Sequence, residues 1–274
     1  MGELTAFDLQ AHRGGAGLRT ANTLRAFGHA LEVGVSTLEF DVQISNDRVA
    51  MVSHDRVLPD GEFVSWLPRV ELPLDTLAEV IALLEQRGAD EVGLNIETKF
   101  DVVHPDEVAP RERFVGVVVA TVQAADFVAR TSIQCFDWDV LDLVRQAEPG
   151  LRLNVLTNTA YLEIGLPGAS PWMAGVDIDA YDGDVVRAAS DRGYTALSPS
   201  HSLITAEMVA QAHGAGLQVI PYTVDEPGVM EHLIGLGVDG LITNRPDVLR
   251  GILDARGLPL PRRYPAPGVT TPDS

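Results

Sequence analysis

The chain has 274 residues, 46% of them hydrophobic, enough to bury one large core or two smaller ones. Its 39 acidic side chains outnumber 20 Lys and Arg, and the net charge of −19 excludes a nucleic-acid or anionic-membrane surface, since both need basic patches. Cys135 is the only cysteine, which excludes an intramolecular disulfide and a Cys-based zinc site.

Met1–Thr5 has no basic region and no long apolar stretch follows it. The expectation is a cytoplasmic protein without a signal peptide, transmembrane run or stable membrane anchor. Ala6–Leu9 reads as a first strand, closed by His12-Arg13-Gly14. Thr23–Val33 reads as a helix, with Leu24, Phe27 and Leu31 at helical spacing. Ser36–Leu38 leads into Glu39-Phe40-Asp41, the end of a second strand. After the turn residues Asn46-Asp47, Val49–Val52 reads as a hairpin extension of that strand, closed by His54-Asp55. A helix begins at Leu74–Thr76, presents Leu77, Val80, Ile81 and Leu84 on one face, and ends at Gly88. Val92–Ile96 is a third strand, closed by Glu97-Thr98-Lys99.

Beyond it, apolar runs at 131–135, 152–156, 194–197, 217–224 and 240–243 read as five more strands. Between them 114–125, 140–146, 185–192, 205–213 and 229–236 read as helices, and 161–184 as a long loop rich in Gly, Pro and Asp. Strand and helix alternating about eight times predict an α/β fold, a (β/α)8 TIM barrel. The rival, an open doubly wound sheet, lacks a Gly-rich nucleotide fingerprint after strand one. Residues 1–255 are expected to form one barrel domain, and 256–274 a Pro-rich tail, extended on the surface or partly disordered. Nothing in the sequence addresses the oligomeric state.

The polar clusters close successive strands, and strand C-termini are where a barrel builds its catalytic mouth. Glu39 and Asp41 are two apart on a strand and point the same way, as do Glu97 and Lys99. A single acid is usually just a solvated charge. Three at strand ends form a hard-oxygen set that suits one divalent cation, Mg2+ or Ca2+, better than Zn2+. His12 and His54 each follow an apolar strand directly, and an imidazole pair can act as acid and base in one turnover. His29, His104, His201, His213 and His232 lie mostly in helices or loops and read as structural or exposed. Gly14 and Gly15 allow a sharp turn after His12. Arg13 is suited either to clamp a phosphate oxygen or to pair with local acids.

These residues, with Ala21-Asn22-Thr23, Asn95, Tyr222-Thr223-Val224 and Asp239–Thr243, resemble in order and spacing the glycerophosphodiester phosphodiesterase family, from His12 to about Pro246. The resemblance implies a TIM barrel with a divalent metal held by Glu39, Asp41 and Glu97. It implies catalysis by His12 and His54, with Arg13 and Lys99 near the phosphate. Three departures stand out. The family's Pro-Glu-Asn-Thr is Thr20-Ala21-Asn22-Thr23, its Trp-Thr-Val-Asn is Tyr222-Thr223-Val224-Asp225, and its Thr-Gly after His-Asp is missing. They bear on substrate preference rather than chemistry.

The expected activity is metal-dependent hydrolysis of small glycerophosphodiesters such as glycerophosphocholine or glycerophosphoethanolamine. Tyr222 would present its ring to a choline-like cation. One alternative is an enzyme acting on lysophospholipids or another phosphodiester, with Leu58, Phe63, Trp66 and Leu67 lining an acyl trough. Another is a barrel that binds metal or phosphoglycerol without turnover.

Overall fold

The computed structural model describes residues 6–266. In chain order its elements are β1 (Asp8–His12), α1 (Leu24–Val33), β2 (Thr37–Ile44), β3 (Ala50–Val52), α2 (Leu77–Gln86), β4 (Gly93–Thr98) and α3 (Arg111–Ala124). Then come β5 (Thr131–Cys135), α4 (Trp138–Ala147), β6 (Arg152–Thr157), α5 (Thr159–Leu162), α6 (Val185–Asp191) and β7 (Ala196–Pro199). The chain closes with α7 (Ala206–Gly214), β8 (Gln218–Val219), α8 (Pro227–Leu236), β9 (Gly240–Thr243) and α9 (Pro246–Ala255).

Neighbouring strands run β8-β7-β6-β5-β4-β2-β1-β9, all parallel, while β3 pairs antiparallel with β2 as the hairpin extension. The seam between β8 and β9 is joined by Asp239 N to Val219 O, Ile242 N to Pro221 O and Val224 N to Ile242 O, at 2.9, 3.0 and 3.0 Å. The expected strand over 217–224 is regular only at Gln218–Val219. Pro221 has no N–H to offer a ladder there, although Ile220 and Tyr222 still donate to β7 carbonyls. At the other seam, β9 approaches β1 so closely that a Cβ on Gly240 would lie 2.5 Å from the Asp8 carbonyl oxygen. Only glycine fits that crossing.

The helices pack their apolar faces on the sheet, as Ala26, Phe27, Ala30 and Leu31 of α1 show. Caps begin them where the sequence places Thr or Asp. Thr76 and Glu79 form a reciprocal capping box at α2, and Asp137 and Asp184 cap α4 and α6. The helix at Pro246–Ala255, not foreseen, places Leu249 and Leu253 in the core. The proline-rich segment after it has no regular structure but is not loose. Tyr264 is 3% exposed, donates its backbone N–H to Leu31 O at 2.8 Å and its hydroxyl to Asp90 at 3.2 Å. Residues 1–5 and the end of the tail, 267–274, lie outside the described residues. Among the described residues no helix is long and apolar enough to cross a membrane.

Candidate active site

The register of the parallel strands sets the site. β1 and β2 align His12 with Glu39, and β2 and β4 align Asp41 with Glu97. A ligand oxygen from each of Glu39, Asp41 and Glu97 falls within 4.8 Å of the others. All three side chains are buried. Such a cluster repels itself in the absence of positive charge. Burial, reinforced by Asp41, pushes the Glu39 carboxyl up to about 8. Burial pushes Glu97 up to about 7 against the pull of Lys99. Burial also works against ionised Asp41, but Lys99 and Arg13 outweigh it and hold that carboxyl below its ordinary value.

The two cations are held by the same acids. Lys99 Nζ lies 2.7 Å from Glu97 Oε1, and Arg13 Nε 3.0 Å from Asp41 Oδ2. Arg13 therefore does pair with a local acid. Its left-handed backbone (φ 52°), with Gly14 and Gly15 at 80° and 87°, turns the chain back so that its N–H reaches Glu39 Oε2 at 2.9 Å. A Cβ on Gly14 would meet Ala26 Cβ at 2.8 Å. The Asn22 amide donates to Asp41 Oδ2 at 2.9 Å.

Five buried side-chain atoms lack a hydrogen bond among the described residues, Arg13 Nε, Asn22 Oδ1, Asp41 Oδ1, Thr157 Oγ1 and Ser198 Oγ, and the first three belong to this cluster. Lys99 Nζ approaches Asp41 Oδ1 only to 3.8 Å. An orphaned carboxylate oxygen between two further carboxylates fits a hard divalent cation.

A polar layer lies beneath the acids, where a barrel interior is often aliphatic. Gln134 of β5 donates to Glu39 Oε1 at 2.7 Å and accepts from Asn95 at 2.8 Å, and Asn95 also donates to Gln10 at 2.8 Å. Sequence reasoning missed Gln134. Its one signal is a long amide near the end of a short strand, beside Ile133 and Cys135.

The two histidines are differently partnered. His12 Nδ1 lies 2.7 Å from Asn244 Oδ1, and His54 Nδ1 lies 2.7 Å from Asp55 Oδ1. Burial, then Arg13, lowers the pKa of His12; burial, then Lys99, lowers that of His54. Asn244 was not singled out either, though its place just after β9 is a strand-end position like the others.

His54, Glu97 and Lys99 open into a cavity of about 480 Å³, with Phe136, Tyr161 and Trp172 on its wall. Tyr161 stacks on Trp172 (4.3 Å between ring centroids) and meets Phe136 edge-on at 4.8 Å. Tyr222 is half-buried next to this wall. Its ring meets Phe136 at 6.0 Å and its hydroxyl donates to Thr157 O at 3.2 Å. A larger groove, about 1140 Å³, runs between α2 and α3 and contains none of the acid–base residues. Leu58 and Leu67 pack on Met51, Val64 and Leu72, and Phe63 packs on Trp66 at 4.4 Å.

A sequence model of the glycerophosphoryl diester phosphodiesterase family matches residues 12–248, which span His12, Arg13, the three acids, His54, Lys99 and Asn244. The chain belongs to this family. A glycerophosphodiester phosphodiesterase of Caldanaerobacter subterraneus subsp. tengcongensis is 27% identical over 267 residues, covering 90% of this chain and 98% of that one. A Mycobacterium tuberculosis protein assigned as glycerophosphodiester phosphodiesterase 2 is 30% identical over 258 residues, covering 90% of each. The crystal structure of a Silicibacter pomeroyi protein assigned to the same activity superposes with a TM-score of 0.81 at 27% identity, over 94% of this chain and 96% of that one. An Oleispira antarctica phosphodiesterase, solved with the product sn-glycerol 3-phosphate, shares the fold at a TM-score of 0.71 and 20% identity, over 91% of this chain and 97% of that one. The family's fold is thus the barrel seen here.

Proposed function

We infer that this chain hydrolyses small glycerophosphodiesters, with Glu39, Asp41 and Glu97 holding one divalent cation, Mg2+ or Ca2+. The observation that supports this most is the triad itself, three buried carboxylates whose ligand atoms lie within 4.8 Å, one with an oxygen that takes no hydrogen bond from the described residues. All three ionised without a cation would repel one another and a phosphodiester. When bound, the cation neutralises charge that grows on the phosphoryl oxygens.

The chain's own residues do the rest. Arg13 and Lys99, fixed by Asp41 and Glu97, orient the phosphate. His12, partnered by a neutral amide, accepts the proton of the nucleophile, which is water or the substrate's own glycerol hydroxyl. The nucleophile's oxygen bonds to phosphorus as the bond to the leaving oxygen breaks. His54, opening into the cavity and with its Nδ1 held by the Asp55 carboxylate, gives a proton to that leaving oxygen. Glycerol phosphate and an alcohol result, by way of a cyclic phosphate if the glycerol hydroxyl attacks first.

A stretch of 48 residues is 48% identical to the human lysophospholipase D, but it spans only 18% of this chain. Of the four residues that could line an acyl trough, Leu58 and Leu67 pack in the loop and Phe63 packs on Trp66, while Trp66 itself stays exposed. Short diesters are therefore the favoured substrates. The test is product analysis with purified protein on glycerophosphocholine and on a lysophosphatidylcholine. Choline and glycerol 3-phosphate from the first, at higher kcat/KM than any product from the second, support this reading. Turnover of the lysolipid alone rejects it.

A further inference from the structure

Among the described residues Asp225 and Asn244 make no hydrogen bond to Glu39, Asp41 or Glu97, but Asn244 contacts His12 and Asp225 holds Asn244. Asn244 Nδ2 donates to Asp225 Oδ2 at 2.8 Å, and the Asn244 backbone N–H donates to Asp225 Oδ1 at 2.8 Å. Thr243 Oγ1 adds a third donor to Oδ1 at 3.1 Å and itself accepts the Arg245 N–H at 2.9 Å. Asp225 is delivered to this point by the barrel seam, where Val224 N bonds to Ile242 O. The carboxylate is thus clamped to the end of β9.

The consequence is chemical. An asparagine side chain can be turned end for end with little change of shape, which would swap acceptor for donor. A carboxylate only accepts, so Asp225 requires the Asn244 nitrogen on its own side and leaves Oδ1 facing His12. Oδ1 has no proton to give. The 2.7 Å bond to His12 must therefore be donated by Nδ1–H of the imidazole. In the neutral ring, Nε2 is then the one nitrogen with a free lone pair.

We propose that Asp225 and Asn244 are positioning residues that lock His12 in its Nδ1–H tautomer and so make Nε2 the proton acceptor of the reaction. The proposal rests on the reading of His12 as an acid–base group. It gives a role to the Asp225 that stands where the family usually has asparagine. It also distinguishes His12 from His54, whose partner is a carboxylate exposed to solvent.

The test uses full-length protein labelled with 15N-histidine. Long-range 15N–1H correlation spectra report the tautomer of His12, assigned by its loss in His12→Ala. Kinetics on glycerophosphocholine run alongside. In wild type the Nδ1–H form is expected. Asn244→Leu, which offers Nδ1 no acceptor, is expected to mix the tautomers and lower kcat by about 10²-fold with little change in KM. Asp225→Asn, close in shape, frees the Asn244 amide to turn and is expected to lower kcat by about 10-fold. The double variant Asn244→Asp with Asp225→Asn restores an acceptor towards Nδ1 and a donor behind it, and is expected to recover both the tautomer and most of kcat. A wild-type His12 in the Nε2–H form overturns the proposal, as does wild-type kcat in Asp225→Asn with an unchanged tautomer. Failure of the acid–base reading looks different: His12→Ala would keep its activity whatever the tautomer.

Discussion

Gln134 Nε2 donates to Glu39 Oε1 at 2.7 Å from β5, a strand that does not adjoin β2. With the Arg13 N–H on Oε2, both oxygens of this carboxylate are fixed before any cation arrives. Groups that orient metal ligands in this way typically matter about 10–100-fold in affinity. Gln134→Leu should therefore weaken Mg2+ or Ca2+ binding about 10-fold in a calorimetric titration while leaving the circular dichroism spectrum unchanged. Equal dissociation constants for variant and wild type would show that Glu39 needs no such support.

The raised carboxyls predict a pH dependence whose sign can be worked out. Glu39 and Glu97 rise from 4.5 in the ordinary state to about 8 and about 7 in the fold. The folded, metal-free protein thus holds protons that the unfolded chain has released. From these two groups it should lose stability as pH rises from 4.5 through 8. A cation must displace the same protons, so its affinity should rise over that range and binding near neutrality should release protons. Melting temperatures with and without Mg2+ across pH should diverge on the alkaline side. A metal-induced increase that is largest at acid pH would contradict the assignment.

His12→Ala and His54→Ala should each lower kcat by about 10²-fold or more, because each removes a proton-transfer partner. The wild-type rate should follow a bell-shaped pH profile. Near-wild-type turnover by either variant would remove that histidine from the mechanism.

The tail segment makes a separate prediction about stability. Tyr264 is buried against the barrel, with bonds to Leu31 and Asp90. Tyr264→Ala should cost about 3 kcal/mol, in line with large aromatic-to-alanine changes in cores, and leave kcat unaltered. Chemical denaturation measures the first and steady-state kinetics the second. Unchanged stability would mean that the tail is an ornament on the barrel.

The strands are legible because each is a short apolar run, and His12 and Glu97 because they stand at or next to a strand's last residue. His54 follows β3 by two residues, whereas Glu39 lies inside β2, which runs on to Ile44 rather than ending at Asp41 as its sequence suggests. The rest depends on contacts that no local pattern encodes. Gln134 meets Glu39 across 95 residues of sequence, and Asn244 meets His12 across 232. The helix of Pro246–Ala255 lies outside the expected elements, although Val248, Leu249, Ile252 and Leu253 at helical spacing and a proline at its first turn mark it. Tyr222 is half-buried, its hydroxyl held by Thr157 O and its ring edge-on to Phe136, and the aromatic wall formed by Phe136, Tyr161 and Trp172 is what no local pattern announces.

The central claim is that turnover depends on a cation held by the carboxylate triad. Protein stripped with a chelator and dialysed should be assayed on glycerophosphocholine by 31P NMR, before and after adding Mg2+ or Ca2+, beside Glu39→Gln. The stripped wild type should be inactive, recover glycerol phosphate formation when a cation is returned, and differ in this from Glu39→Gln, which should stay inactive. Full activity in the stripped protein, or full recovery in Glu39→Gln, would contradict the account.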